Sequence, residues 1–152
     1  MTEKPINVLV LCTGNSARSV LAEALINDLG GGQWKAYSAG SRPTGKVNPL
    51  SLEILREKGH ATEGFRSKSW DEFALPDAPK MDLVITVCDN AAGEVCPIWP
   101  GHPAKVHLGF PDPAAVEGSH DERLAAFRQV YAMIEAKMRR VIALGPERVG
   151  EA

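Results

Sequence analysis

Aromatic side chains make up only 6% of this chain of 152 residues, and cysteine occurs just three times. No apolar run approaches the roughly 20 residues that span a bilayer. Each shortage excludes something. Without such a run, no membrane protein is expected. Met1-Thr2-Glu3-Lys4-Pro5 lacks a signal-peptide pattern, so the expected location is the cytoplasm. A formal net charge of −2 supplies no basic field for nucleic acid. Three cysteines is an odd number without secretory context, which argues against a disulfide scaffold and leaves catalytic thiols or metal ligands. Repeats, low-complexity segments and linkers are also missing. The chain reads as one domain over residues 1–152, long enough for a real core, and is expected to be a monomer.

What is present centres on residues 6–19, Ile-Asn-Val-Leu-Val-Leu-Cys-Thr-Gly-Asn-Ser-Ala-Arg-Ser. A short apolar run, Val8 to Leu11, delivers Cys12. A small polar loop follows, then Arg18. From there Val20, Leu21, Ala24, Leu25 and Leu29 recur at helical spacing, predicting a helix over 17–29. A loop entering a helix N-terminus offers backbone N–H groups and the positive end of the helix dipole to an anion. Gly14 and Asn15 tolerate positive φ, so the loop can curl its amides around a tetrahedral oxyanion. Thr13, Gly14, Asn15, Ser16, Ala17 and Ser19 are the candidate binding positions, and Arg18 adds a planar fork. The same field acts on Cys12. A thiol of pKa near 8.5 is only about 3% thiolate at pH 7. A drop of two to three units, roughly 3–4 kcal/mol, makes it mostly thiolate, and that drop is the expectation here. Ser19 is a candidate donor to the sulfur. The competing reading, a buried structural cysteine before an ordinary turn, does not account for Cys-x5-Arg-Ser set between strand and helix.

Along the rest of the chain, Trp34–Ala39 reads as a second strand closed by Gly40. Asn48 is a good N-cap with Pro49 at the first helical position, and Leu50, Ile54 and Leu55 give that helix its apolar face. Residues 67–73 open a short helix that Pro76 and Pro79 stop. Residues 82–88, Asp-Leu-Val-Ile-Thr-Val-Cys, read as a strand buried on both faces. Residues 89–103 form a loop, 105–108 a fourth strand, and Phe110-Pro111-Asp112-Pro113-Ala114 a stiff turn. A long helix over 121–144 buries Leu124, Phe127, Val130, Tyr131, Ile134, Met138 and Val141, and the tail from Gly145 is expected to be mobile. Strands alternating with helices imply an α/β fold with a parallel sheet covered on both faces. Ligands bind such sheets at the carboxyl ends of the strands. Cys12, Cys88 and the Asp112 turn all fall at or just beyond such ends.

Cys12-Thr13-Gly14-Asn15-Ser16-Ala17-Arg18-Ser19 resembles the phosphate-binding loop of the low-molecular-weight protein tyrosine phosphatase family. It is still more similar to that of the arsenate reductases sharing this fold. The resemblance implies a single-domain three-layer sandwich with a four-stranded parallel sheet in the order 2-1-3-4. It also implies that Cys12 attacks the central atom of a bound oxyanion and that Asp112, in the family's Asp-Pro position, is the general acid. Phosphatases of this family typically follow Asp-Pro with aromatic residues. Here Ala114 and Ala115 follow, which favours a small inorganic anion.

A reductase also needs two electrons. The resemblance to the thioredoxin-coupled arsenate reductases implies Cys12 as nucleophile, Cys88 as first resolving thiol and Cys96 as second. Seven residues separate Cys88 from Cys96, where the better-known members have six, so a glutathione- or glutaredoxin-coupled cycle stays open. A disulfide needs Cα atoms within ~7 Å, whereas eight extended residues span up to ~29 Å, so segment 89–103 is expected to move. Arsenate is the expected substrate, with phosphate and sulfate as competitors. The rivals are a phosphatase and a non-catalytic oxyanion sensor. Zinc at Cys88, Cys96, His102 and His107 does not fit the usual ligand spacing. No tightly bound cofactor is expected. Asn15, Glu23, Ser69 and Asp71 resemble potassium-binding positions of some arsenate reductases, although on their own Glu23 and Asp71 read as solvated carboxylates.

Overall fold

The structure is a computed structural model that describes residues 5–15, 17–62, 64–87 and 104–152. Four strands, β1 (Ile6–Leu11), β2 (Trp34–Ala39), β3 (Leu83–Thr86) and β4 (Ala104–His107), form one parallel sheet in the order β2-β1-β3-β4. The expected order is therefore found. Val8 to Leu11 and Leu83 to Thr86 are almost fully buried, so both faces of the central strands are covered. That burial explains why β3 reads as an unbroken apolar run, without the alternation of a half-exposed strand.

Helices α1 (Arg18–Leu29), α2 (Pro49–Glu57) and α3 (His120–Leu144) pack against one another. Asn48 caps α2, its Oδ1 accepting from the Leu50 N–H at 2.9 Å. The buried residues of α3 are the seven expected from its spacing. Its start lies one residue earlier, because Ser119 caps it. The Ser119 Oγ accepts from the Glu122 N–H, and the Glu122 carboxylate reaches back to the Ser119 N–H.

Two expectations need correction. The third strand ends at Thr86, and Asp82 does not extend it. Instead the Asp82 carboxylate accepts the Asn7 N–H at 2.8 Å, while the Asp82 N–H donates to the Asn7 carbonyl. The tail is ordered as well. A 3-10 turn at Val149–Glu151 buries Val149, and Arg148 grips the Glu151 carboxylate at 2.9 and 3.0 Å. No helix among the described residues is long and apolar enough to cross a membrane.

Candidate active site at the carboxyl rim of the sheet

The rim is built from the ends of three strands. The Cys12 N–H donates to the Ala39 carbonyl at 3.2 Å, which ties the end of β1 to β2. The Val87 N–H donates to the Leu11 carbonyl at 2.9 Å, and the Phe110 N–H to the Val87 carbonyl at 3.2 Å. These bonds bring Cys12 and the turn carrying Asp112 to one edge. Cys12 is 6% exposed, close to the surface without being open to it.

After Cys12 the chain reverses. Asn15 has φ of 45°, the single non-glycine residue with positive φ among those described, and its N–H closes onto the Cys12 carbonyl at 3.2 Å. Its side chain makes the costly conformation worthwhile. Asn15 is fully buried, its Oδ1 accepts from the Lys68 N–H at 2.9 Å, and its Nδ2 donates to the Ser19 Oγ at 3.0 Å. A fixed amide thus pins the loop to the first turn of α1 and to the segment before Trp70.

The loop's carbonyls are held from outside. The Thr13 carbonyl accepts from the Arg42 N–H at 3.0 Å. The Gly14 carbonyl accepts from the Thr44 N–H at 3.1 Å and from the Ser67 Oγ at 2.9 Å. In a trans peptide the C=O and N–H point in opposite directions, so fixing the Thr13 carbonyl outward turns the Gly14 N–H toward the loop's interior. The negative ends of these dipoles are thereby removed from the place where an anion would sit.

Helix α1 contributes the rest of the positive field. Its N-cap, Ala17, supplies no side-chain bond to the first turn, and no acidic residue stands there. The helix N-terminus is left to the loop's concavity and keeps its full partial charge.

Arg18 occupies the first position of that helix. Its side chain is 15% exposed, and Nη1 donates to the Phe110 carbonyl at 2.9 Å. Nη2 stands 3.8 Å from the Asp112 Oδ2. Nε is buried and has no partner among the described residues. A buried donor left unpaired costs about 1–3 kcal/mol, so an oxyanion that accepts from Nε relieves a standing penalty. Asp112 caps the 3-10 turn Pro113–Ala115, with Oδ1 accepting from the Ala114 N–H at 3.0 Å, and buried Pro113 anchors that turn. The Asp112 carboxyl group thus stands beside the arginine at the rim.

The sequence candidates therefore divide. Cys12, Thr13, Gly14, Asn15, Ala17, Arg18, Ser19 and Asp112 come together. Ser16, Cys88 and Cys96 lie outside the described residues, as do loop 89–103 and His102. The Ser19 Oγ accepts from the Asn15 Nδ2 at 3.0 Å, which leaves its own O–H to donate. It acts on the loop's shape.

Of the potassium candidates, Asn15, Glu23 and Ser69 each hold a partner within the protein. Ser69 Oγ accepts from the Asp71 N–H at 3.1 Å, and the Asp71 side chain is exposed. Glu23 is not the solvated carboxylate expected. It is half-buried, its Oε1 accepts from the Ser38 Oγ at 2.5 Å, and burial holds its carboxyl above the ordinary range against the Ser38 bond and the charges of Lys68 and Lys35. Four residues after Ser19, it shares that residue's inward helix face. Among the described residues, no group of three or more His, Cys, Asp or Glu side chains is arranged to hold a metal ion.

The backbone holders Arg42, Thr44, Ser67 and Lys68, and the Phe110 carbonyl, are missing from the sequence reading. Gly40 alone carries a sequence signal, that of a strand end.

A cysteine at the foot of an uncapped helix, an arginine on that helix and a facing aspartate, on a 2-1-3-4 parallel sheet, define a phosphatase-type anion loop. The chain belongs to the low-molecular-weight phosphotyrosine protein phosphatase family, whose model matches residues 7–151. Within it, the chain is 42% identical to an arsenate reductase of Halalkalibacterium halodurans over 81% of this chain and 85% of that protein. The crystal structure of an arsenate reductase from Archaeoglobus fulgidus superposes with a TM-score of 0.69 at 31% identity, covering 90% of this chain and 98% of that one. A thioredoxin-dependent arsenate reductase from Corynebacterium glutamicum superposes with a TM-score of 0.63 at 28% identity, over 92% of this chain and 61% of that one.

Proposed function

We propose that this protein reduces arsenate to arsenite, with Cys12 as the nucleophile and a dithiol protein of the thioredoxin type as the final reductant. Arsenate enters the loop as an oxyanion and accepts from the Gly14 N–H, the N-terminal amides of α1 and the Arg18 fork. The Cys12 thiolate attacks arsenic, and one oxygen leaves as water with a proton from Asp112. Cys88 then attacks the Cys12 sulfur. The electron pair of the sulfur–arsenic bond stays on arsenic, which departs as arsenite, and a Cys12–Cys88 disulfide remains. Cys96 attacks Cys88, releases the Cys12 thiolate and leaves a Cys88–Cys96 disulfide for the external dithiol. The two resolving roles are carried over by motif position.

The observation that supports this most strongly is the coincidence of an oxyanion loop at Cys12 with two further cysteines in the stretch that follows β3. A phosphatase needs only the first cysteine. The residues after Asp112, Ala114 and Ala115, are exposed and small, and offer an aromatic ring no wall.

The test is an arsenate assay run in parallel with thioredoxin, with glutaredoxin plus glutathione, and without a protein donor. Turnover is expected with thioredoxin. Cys88→Ser and Cys96→Ser are expected to stop turnover while sparing any hydrolysis of an aryl phosphate. Continued multiple turnover in both variants would sink the relay. Hydrolysis without arsenate reduction in the parent protein would make it a phosphatase.

A further inference from the structure

The guanidinium of Arg18 is divided between three environments. Nη1 is committed to the Phe110 carbonyl at 2.9 Å. Nε is buried without a partner among the described residues. Among the described residues Nη2 has the Asp112 Oδ2 at 3.8 Å, too far for a hydrogen bond and near enough for charge attraction. Nε and Nη2 form one edge of the planar group, the edge that pairs side-on with two oxygens of an anion. That edge is the one left unsatisfied among the described residues, and Asp112 stands at one end of it.

Asp112 is also unable to withdraw freely. Its other oxygen, Oδ1, accepts from the Ala114 N–H at 3.0 Å, and the turn it caps is anchored by buried Pro113. An incoming oxyanion must share Nη2 with a carboxylate that is held in place.

We infer that Asp112 is the resident counterion of the Arg18 fork, and that an oxyanion binds by displacing the carboxylate's claim on Nη2. This rests on the proposed reduction of arsenate and adds a role to the acid already assigned. The contact balances the charge of Arg18 in the empty site. It also favours release of product. Arsenous acid is uncharged at neutral pH and competes poorly with a fixed carboxylate for a cationic fork, whereas the arsenate anion competes well. A proton carried in by the oxyanion passes to the displaced carboxylate and returns to the leaving oxygen, so the aspartate is an anion again and helps to clear the site when product leaves. The cost is weaker binding of every oxyanion than the loop alone allows.

The experiment is equilibrium binding of inorganic phosphate to the reduced protein at low ionic strength, by calorimetry and by protection of Cys12 from alkylation. Asp112→Asn keeps the shape and the acceptor for the Ala114 N–H but removes the charge. It is expected to bind phosphate about two- to fivefold tighter than the parent, while turning over more slowly. Asp112→Glu, which retains the charge, is expected to show no such gain. If Asp112 merely braced its turn, Asp112→Asn would bind phosphate equally or more weakly, and that result overturns the inference. A parent protein that reduces arsenate while Asp112→Asn gains nothing leaves the proposed function standing and removes only this role. A parent protein that binds neither phosphate nor arsenate removes both.

Discussion

Gly40 lies directly against Thr13: a Cβ built on it would overlap the carbonyl oxygens of Cys12 and Thr13 and stand 2.9 Å from the Thr13 carbonyl carbon. The same glycine accepts from the Trp70 N–H at 2.9 Å and donates to the Lys68 carbonyl at 3.0 Å. It is the point where the anion loop, the end of β2 and the segment before Trp70 meet. The obstructing atoms are backbone, so no side chain can turn aside to make room. Gly40→Ala is expected to cost about 1–3 kcal/mol in stability, measured by urea unfolding. It is also expected to lose most phosphate-dependent stabilisation in thermal melts, because the loop itself must shift. A variant with unchanged unfolding and unchanged response to phosphate would show that the loop does not need this close approach.

Asn15 is expected to matter more for the loop's shape than for contact with substrate. Of its two side-chain bonds, that to the Ser19 Oγ is buried and that to the Lys68 N–H is partly buried. Asn15→Ala removes both bonds, leaves the Lys68 N–H unpaired and places an alanine at φ of 45°. Together these amount to about 2–4 kcal/mol of destabilisation. Asn15→Gly removes the same bonds without the conformational cost and should recover about 1 kcal/mol. The difference between the two in chemical denaturation isolates the backbone contribution.

How much of this was open to sequence reading differs by kind of information. The strand leading to Cys12 is a continuous apolar run and the buried face of α3 a periodic one, and both survive in a linear text. Asn48 before Pro49 is a local signal, and so is Ser119 with Glu122 three residues on, a capping box that sets the start of α3 at His120. Glu23 was legible in principle. It stands four residues after Ser19 on the buried side of α1, yet its charge suggested solvent. Nothing local announces that the Arg42 and Thr44 amides hold the loop's carbonyls, because any residue but proline supplies an N–H. The Phe110 carbonyl is equally anonymous. Such contacts are made by backbone that tertiary structure brings close, and the residue names do not encode them.

Glu23 gives the protein a pH dependence of predictable sign. Burial raises its carboxyl above the ordinary 4.5. Between that ordinary value and the raised folded one, the native state holds a proton that the unfolded chain has released. Stability from this group therefore falls as pH rises through the window, and the loss is complete above it. Facing Glu23 are the Ser38 hydroxyl, Lys68 and Lys35, with Tyr37 responding to its charge. Glu23→Gln keeps an acceptor for Ser38 and removes the titration. The expected outcome is a flatter stability profile than the parent from about pH 4 upward, by denaturation at a series of pH values. Lys68 loses a favourable charge in this variant, so the slope is the diagnostic and not the value at any one pH. Parallel profiles would mean that the carboxyl titrates alike folded and unfolded.

Arg18→Lys separates charge from geometry. Lysine keeps the positive charge at the head of α1 but has no Nε–Nη2 edge, and it leaves the Phe110 carbonyl without the donor now 2.9 Å away. The loss of that bond should cost about 1 kcal/mol in stability, little enough for the variant to fold. Phosphate affinity should fall about 10- to 100-fold, since one charge-assisted pair and the relief of the buried Nε are both gone. The catalytic loss should be larger, about 100-fold or more in kcat/KM for arsenate, because a planar fork stabilises the charge that builds on the oxygens as sulfur attacks. Alkylation of Cys12 by iodoacetamide as a function of pH supplies the control. If the field of the helix N-terminus and a nearby cation are what favour the thiolate, Arg18→Lys should leave that profile nearly in place while binding and turnover collapse. Phosphate affinity within threefold of the parent would mean that net charge suffices, and the geometric role of the fork would then have to be abandoned.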